Sequence, residues 1–105
     1  MNQHAIVAGA QKAGTTTLHG ILIQSNEVEP GSRKEFHYFD KSSNPNYKDY
    51  LDHFDEHNKI MLDSTPSYIY NQNALNAIAR IIPRKKIIVI LRTQLKGLFY
   101  IIKCM

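Results

Sequence analysis

The segment Lys86-Ile87-Ile88-Val89-Ile90-Leu91 has no polar residue after its first, and Ile87 to Ile90 are all β-branched. Such a run buries both faces of a strand, which is the signature of a parallel sheet covered on each side. His4–Gly9 (HAIVAG) is a shorter apolar run ending in glycine, and Ile60–Leu62 is a third strand candidate. Helical periodicity lies between them. Thr15–Gln24 places Leu18, Ile21 and Leu22 on one face, Tyr47–His57 does the same with Tyr47, Tyr50, Leu51 and Phe54, and Asn71–Ile82 with Leu75, Ile78, Ala79 and Ile82. Pro83 stops the last of these. Asn26–Arg33, Asp40–Asn46 and Asp63–Tyr68 read as turns or loops, and Glu35–Phe39 as a short strand or extended loop. Strands alternating with helices predict an α/β layered fold with a parallel sheet.

At 105 residues the chain holds one domain at most. The net charge of +4 is a mild basic excess, with Arg84, Lys85, Lys86, Arg92, Lys96 and Lys103 in the last quarter. That suits a phosphate-bearing ligand, but no basic run is interleaved with aromatics, so no nucleic-acid partner is expected. Cys104 is the sole cysteine, which excludes an intrachain disulfide and a cysteine-only zinc site. His53 and His57 stand four apart, but the polar face of a helix accounts for them, and no metal is expected. Ile87–Leu91 and Leu98–Ile102 fall well short of the roughly 20 residues of a membrane span, and no secretory pattern opens the chain. A cytoplasmic protein with no membrane span is the expectation.

The chemistry sits in Gly9-Ala10-Gln11-Lys12-Ala13-Gly14-Thr15-Thr16-Thr17, between the first strand and the first helix. A helix N-terminus leaves backbone N–H groups without intrahelical acceptors, with the positive end of the macrodipole behind them. Glycines let the backbone approach a phosphate, and threonine hydroxyls add donors. The nucleoside-triphosphate loop has the pattern G-x-x-x-x-G-K-[ST]. Gly9, Gly14 and Thr16 fit it, but its lysine position is Thr15, and the lysine stands three residues earlier, at Lys12. A cradle of this kind holds phosphate with a lysine that approaches from the loop.

Gln11-Lys12-Ala13-Gly14-Thr15-Thr16-Thr17-Leu18 resembles the 5′-phosphosulfate loop of the sulfotransferases. Lys34-Glu35-Phe36-His37-Tyr38-Phe39-Asp40 is similar to the K-E-x-H-[FY]-F-D motif of the heparan-sulfate-type members and their bacterial relatives. Ser64-Thr65-Pro66-Ser67-Tyr68 resembles their [ST]-P-x-Y segment, and Lys86–Arg92 the strand ending in their 3′-phosphate-binding arginine. The four motifs stand in family order over residues 5–92. Residues 1–105 are thus expected to be the N-terminal portion of a sulfotransferase domain, with 93–105 a divergent tail. The resemblance implies a P-loop-type three-layer α/β fold with a parallel sheet, truncated after the 3′-phosphate-binding strand.

It implies as co-substrate 3′-phosphoadenosine 5′-phosphosulfate, whose sulfuryl group passes to a hydroxyl or amine of a sugar, lipid or small-molecule acceptor. Gln11, Lys12, Ala13, Gly14, Thr15, Thr16, Thr17 and Arg92 would then bind the nucleotide, and Lys12 would also stabilise the leaving phosphate. Glu35 is the candidate base and His37 supports it near the acceptor; Lys34, facing the sulfonate or an anionic acceptor, and Tyr68, lining the pocket, are the candidate substrate residues. On an extended segment Glu35 and His37, two apart, point to the same side. The sequence departs from the family at Ser64, where glycosaminoglycan-modifying members carry lysine, and at Tyr100, where a serine binds the 3′-phosphate. Two other readings stand beside the enzyme: a catalytically inactive nucleotide-binding module, and a P-loop nucleotide kinase or NTPase. The displaced Lys12 counts against the last.

Overall fold

The computed structural model describes residues 2–10, 14–93 and 97–104, with backbone alone from residue 91 onward. In chain order the elements are β1 (Gln3–Gly9), α1 (Thr15–Leu22), β2 (Val28–Glu29), α2 (Tyr38–Lys41), α3 (Tyr47–Leu51), β3 (Ile60–Ser64), a 3-10 helix (Pro66–Tyr70), α4 (Gln72–Ile81), β4 (Lys85–Thr93) and β5 (Gly97–Cys104). The strands make one sheet in the order β2-β3-β1-β4-β5. The first four run parallel, as the apolar runs predict. β5 is added antiparallel to β4, from Lys86 opposite Cys104 to Thr93 opposite Gly97, in the tail that reads from sequence as divergent.

Strand alternation sorts side chains between the two faces. Ile6, Ala8, Met61 and Ile87 lie in one core with Ala74, Ala77, Ile78 and Ile82 at α4 and with Phe36, Phe39, Tyr50, Phe54 and Tyr68. The intervening residues, Leu62 and Ser64 among them, turn to the opposite face, where α1 lies. The result is the expected three-layer α/β architecture, with an aromatic layer on one side and α1 on the other.

Several local readings shift. β2 is absent from the sequence reading, because Pro30 and Gly31 mark a turn and only two residues pair with Ile60 and Met61. The α1 stripe is rotated: Thr15 and His19 are buried and Ile21 is 59% exposed, since a hydrogen bond between His19 and Ser64 of the sheet fixes which side faces inward. In α4 the buried residues are Ala74, Ala77 and Ile78, and Ala79 is exposed. Small alanines let this helix lie close to the strands, and Asn71 caps it by accepting the Ala74 N–H at 3.0 Å. α3 is capped the same way by Asn46, which accepts from Asp49 at 2.9 Å. It stops at Leu51, and turns through His53 and Phe54 carry the stripe on, so Phe54 is still buried. Finally, Tyr38–Lys41 is a helical turn where the sequence reads as extended chain and loop.

Candidate functional site

The chain leaves β1 toward α1 on one face and leaves β3 toward the 3-10 helix and α4 on the other. Adjacent parallel strands that part in this way open a crevice at their C-terminal ends, the usual ligand position in open α/β sheets. The segment 34–40 lies across the β3 side of that crevice, tied there by the Ser64 N–H, which donates to the Lys34 carbonyl at 3.1 Å.

On the β1 side, Gly14 stands at the N-terminus of α1 with φ 91°, a left-handed conformation that glycine adopts without steric penalty. Its carbonyl accepts the Leu18 N–H at 3.1 Å, which starts the helix. No side chain among the described residues caps this end. Thr15 is buried, whereas Thr16 and Thr17 are exposed. Gln11, Lys12 and Ala13 lie outside the described residues, as does the side chain of Arg92, whose backbone is in β4.

On the β3 side the structure brings five sequence-predicted or neighbouring groups into one chain of contacts. His37 Nδ1 lies 2.9 Å from Asp40 Oδ2, and His37 Nε2 lies 3.0 Å from Glu35 Oε1. Lys34 Nζ donates to Glu35 Oε2 at 3.2 Å, and Ser67 Oγ donates to Asp40 Oδ2 at 2.7 Å. The hydrogen bond to Asp40, helped by Glu35, outweighs burial and raises the His37 pKa above its ordinary value. For Asp40 burial pushes upward, but hydrogen bonds from His37 and Ser67 prevail and its pKa falls. A carboxylate at each ring nitrogen thus favours the protonated imidazole. His37 itself is left-handed at φ 54°, so the segment is not the extended strand that would align it with Glu35, yet the two side chains still meet.

Beneath this chain lies a buried carboxylate that sequence reading missed. Asp63, fully buried at the end of β3, accepts the hydroxyls of Tyr50 at 2.9 Å, Tyr68 at 2.8 Å and Thr65 at 2.6 Å. Burial pushes its pKa up to about 6, against the lowering effect of the hydroxyls of Thr65, Tyr68 and Tyr50. Thr65 Oγ1 in turn accepts the N–H groups of Phe36 at 3.0 Å and His37 at 3.3 Å. Tyr68 Oη accepts those of Tyr38 at 3.2 Å and Phe39 at 3.5 Å. Tyr68, read as an acceptor-side residue, has no exposed surface, and its hydroxyl is committed to Asp63, so it sits in the scaffold under the segment. Asp40 closes the family motif quoted above, but nothing in the sequence gave it a partner. Asp63 carries no local signal beyond its place after an apolar strand.

The other face of β3 is tied separately. His19 Nδ1 and Ser64 Oγ meet at 2.7 Å in a buried contact, and desolvation, then nearby Lys34, lowers the His19 pKa. A concavity of about 520 Å³ also lies on the α1 face, lined by Leu22, Val28, Leu62 and Ile88. It is at the opposite end of the strands, beside Gln3 and Lys86, and none of the residues just described as forming the crevice lines it. His53 and His57 direct ring nitrogens to the backbone carbonyls of Tyr50, Leu51 and Phe54.

No family model matches the chain. Among curated proteins it is similar to the membrane-associated sulfotransferase kil1 of Dictyostelium discoideum, at 32% identity over 92 residues. The match covers 83% of this chain and 20% of that relative, so the chain spans about a fifth of the protein it resembles. A cytoplasmic location, expected from the sequence, does not stand, because the matched relative is named as membrane-associated. Among the described residues no helix is long and apolar enough to cross a membrane. The match, together with the α/β fold, supports a sulfotransferase relationship for this chain.

Proposed function

We propose that the chain is the donor-binding, N-terminal portion of a sulfotransferase domain of the kind that carries the K-E-x-H motif. Its co-substrate would be 3′-phosphoadenosine 5′-phosphosulfate, and its acceptor a hydroxyl or amine. The observation that carries this reading is the run of contacts from Asp40 through His37 to Glu35 beside the crevice. In such a transfer the acceptor's proton passes to a base, a bond forms from the acceptor atom to sulfur, and the bond from sulfur to the phosphate oxygen breaks. Glu35 suits the base. One carboxylate oxygen faces His37 and the other faces Lys34, and a carboxylate has about four lone-pair sites, so each oxygen keeps capacity for an incoming proton. His37, oriented by Asp40, holds Glu35 in place. Lys12, with Gly14, Thr15, Thr16 and Thr17 at the end of α1, suits the leaving phosphate, whose growing charge needs preorganised donors. Arg92, at the C-terminal half of β4, suits the 3′-phosphate through a bidentate contact.

Isothermal titration with 3′-phosphoadenosine 5′-phosphate, set beside ATP with magnesium, tests the reading. Preferential binding of the 3′,5′-bisphosphate is expected. Equal or tighter binding of ATP would point instead to a nucleotide kinase or NTPase. Binding with no sulfuryl transfer, once the chain is carried in a full-length relative, would leave an inactive nucleotide-binding module.

A further inference from the structure

The segment 36–39 has an unusual support. Four consecutive N–H groups, those of Phe36, His37, Tyr38 and Phe39, point at two side-chain oxygens, Thr65 Oγ1 and Tyr68 Oη. A hydroxyl has one proton to give and lone pairs to receive with. In both residues the proton goes to Asp63, one to each carboxylate oxygen. That donation fixes the rotation of each hydroxyl and turns its lone pairs toward the segment. A third donor, Tyr50, holds the carboxylate from α3 at 2.9 Å, so Asp63 cannot turn to another partner without leaving a buried hydroxyl unpaired.

We propose that Asp63 is the positioning residue of this site: by taking the protons of Thr65 and Tyr68 it makes both oxygens acceptors for the amides of residues 36–39, and so sets the separation of Glu35, His37 and Asp40. Its catalytic meaning rests on the sulfotransferase reading above, whereas the positioning itself does not. Asp63 lies under the segment and touches none of the three side chains directly. The left-handed backbone of His37 is held by these bonds, since it lies outside any strand ladder and a non-glycine residue adopts it at a cost of order 1 kcal/mol.

Amide exchange and the His37 titration, both read by nuclear magnetic resonance on the nucleotide-free chain, test the proposal. In Thr65→Val the amides of Phe36 and His37 should exchange about tenfold faster, the equivalent of one lost hydrogen bond each, while those of Tyr38 and Phe39 keep their protection. The His37 titration should move down toward that of a free histidine. Thr65→Ser should restore both. Asp63→Asn, which puts an N–H where a proton acceptor stood, should speed exchange at all four amides. If Asp63→Asn does not fold, the Thr65 pair decides alone. Unchanged exchange and an unchanged His37 titration in folded Thr65→Val would overturn the proposal, as would failure of Thr65→Ser to restore them. Absence of nucleotide binding by the unaltered chain would count against the sulfotransferase reading alone.

Discussion

Glu35 and His37 meet at 3.0 Å, Oε1 to Nε2, and the opposite ring nitrogen of His37 is taken up by Asp40 at 2.9 Å. With an anion at each nitrogen the ring retains its proton above the ordinary value of 6.5. The folded pKa is raised, so the stability from this pairing is complete below 6.5 and is lost as the pH rises through the folded value. Asp40→Asn should bring the His37 titration back toward the ordinary value. A nuclear magnetic resonance titration of the ring protons reads it directly, and an unmoved midpoint would show that Asp40 does not hold the proton.

His4 responds to acid in the opposite sense. Tyr47 Oη accepts a hydrogen bond from the Asn2 amide and pairs with His4 Nε2 at 2.8 Å, and the His4 ring packs against Tyr50 and Phe54. Burial, then the charges of His57 and Lys85, lowers its pKa to about 4. The neutral ring therefore contributes stability above 6.5 that is lost as the pH falls toward about 4. The loss is of order 2–3 kcal/mol at about 1.4 kcal/mol per pKa unit. Urea unfolding at pH 7 and pH 4.5 measures it, and His4→Phe should flatten the difference.

Tyr68→Phe removes one of the three donors on Asp63 and the acceptor of two amides. A buried carboxylate short of a donor costs about 1–3 kcal/mol. The Asp63 pKa, already about 6 through burial, should rise further. A raised carboxylate destabilises the fold as it ionises, so the deficit of Tyr68→Phe should be larger at pH 8 than at pH 5. A deficit independent of pH would mean that the hydroxyl serves packing and not the carboxylate.

Close approach accounts for Gly9. A Cβ there would stand 2.5 Å from Ile69 Cγ2 and 2.9 Å from Ile69 Cβ, atoms with little room to move. Gly9→Ala should destabilise by about 1–3 kcal/mol, the usual range for overpacking. In an Ile69→Ala background, which removes Cγ2 and keeps Cβ, the same substitution should cost less. Equal costs in both backgrounds would dissociate Gly9 from the 3-10 helix.

On the proposed function, Lys12→Ala should weaken binding of 3′-phosphoadenosine 5′-phosphate by about 1–3 kcal/mol, the worth of a charge-assisted contact. Glu35→Gln should leave that affinity alone, since the base faces the acceptor. A nucleotide affinity that falls with Glu35 and not with Lys12 would reverse the assignment.

The parallel sheet was legible because Ile87–Leu91 and Ile6–Ala8 carry it in consecutive apolar residues. β2 was not, since its two residues gain their strand geometry from the main chain of β3 and not from a pattern of their own. Helix faces were legible only to within a rotation: a stripe at 18, 21 and 22 is a correct helix, but the bond between His19 and Ser64, 45 residues apart, decides its orientation. Separation in sequence also hid the scaffold of the site. Glu35, His37 and Asp40 lie within six residues and form a motif, whereas Thr65 and Tyr68, close to Asp63 in the chain, meet the amides of Phe36, His37, Tyr38 and Phe39 across separations of 28 to 30 residues. No local pattern announces that pairing.

The end of β3 has one more consequence. Asp63 and Ser64 are neighbours in sequence but look into different layers, one to the hydroxyls under residues 36–39 and the other to His19 on α1. A strand alternates strictly, so slipping β3 by a single residue would exchange them, presenting a serine to three hydroxyls and a carboxylate to α1. The sheet is thus a dividing wall with each half of the crevice anchored on its own side. Substitutions that retune the helix that follows the glycine–threonine loop can accumulate without disturbing the carboxylate that steadies the other half. Insertions or deletions in β3 cannot.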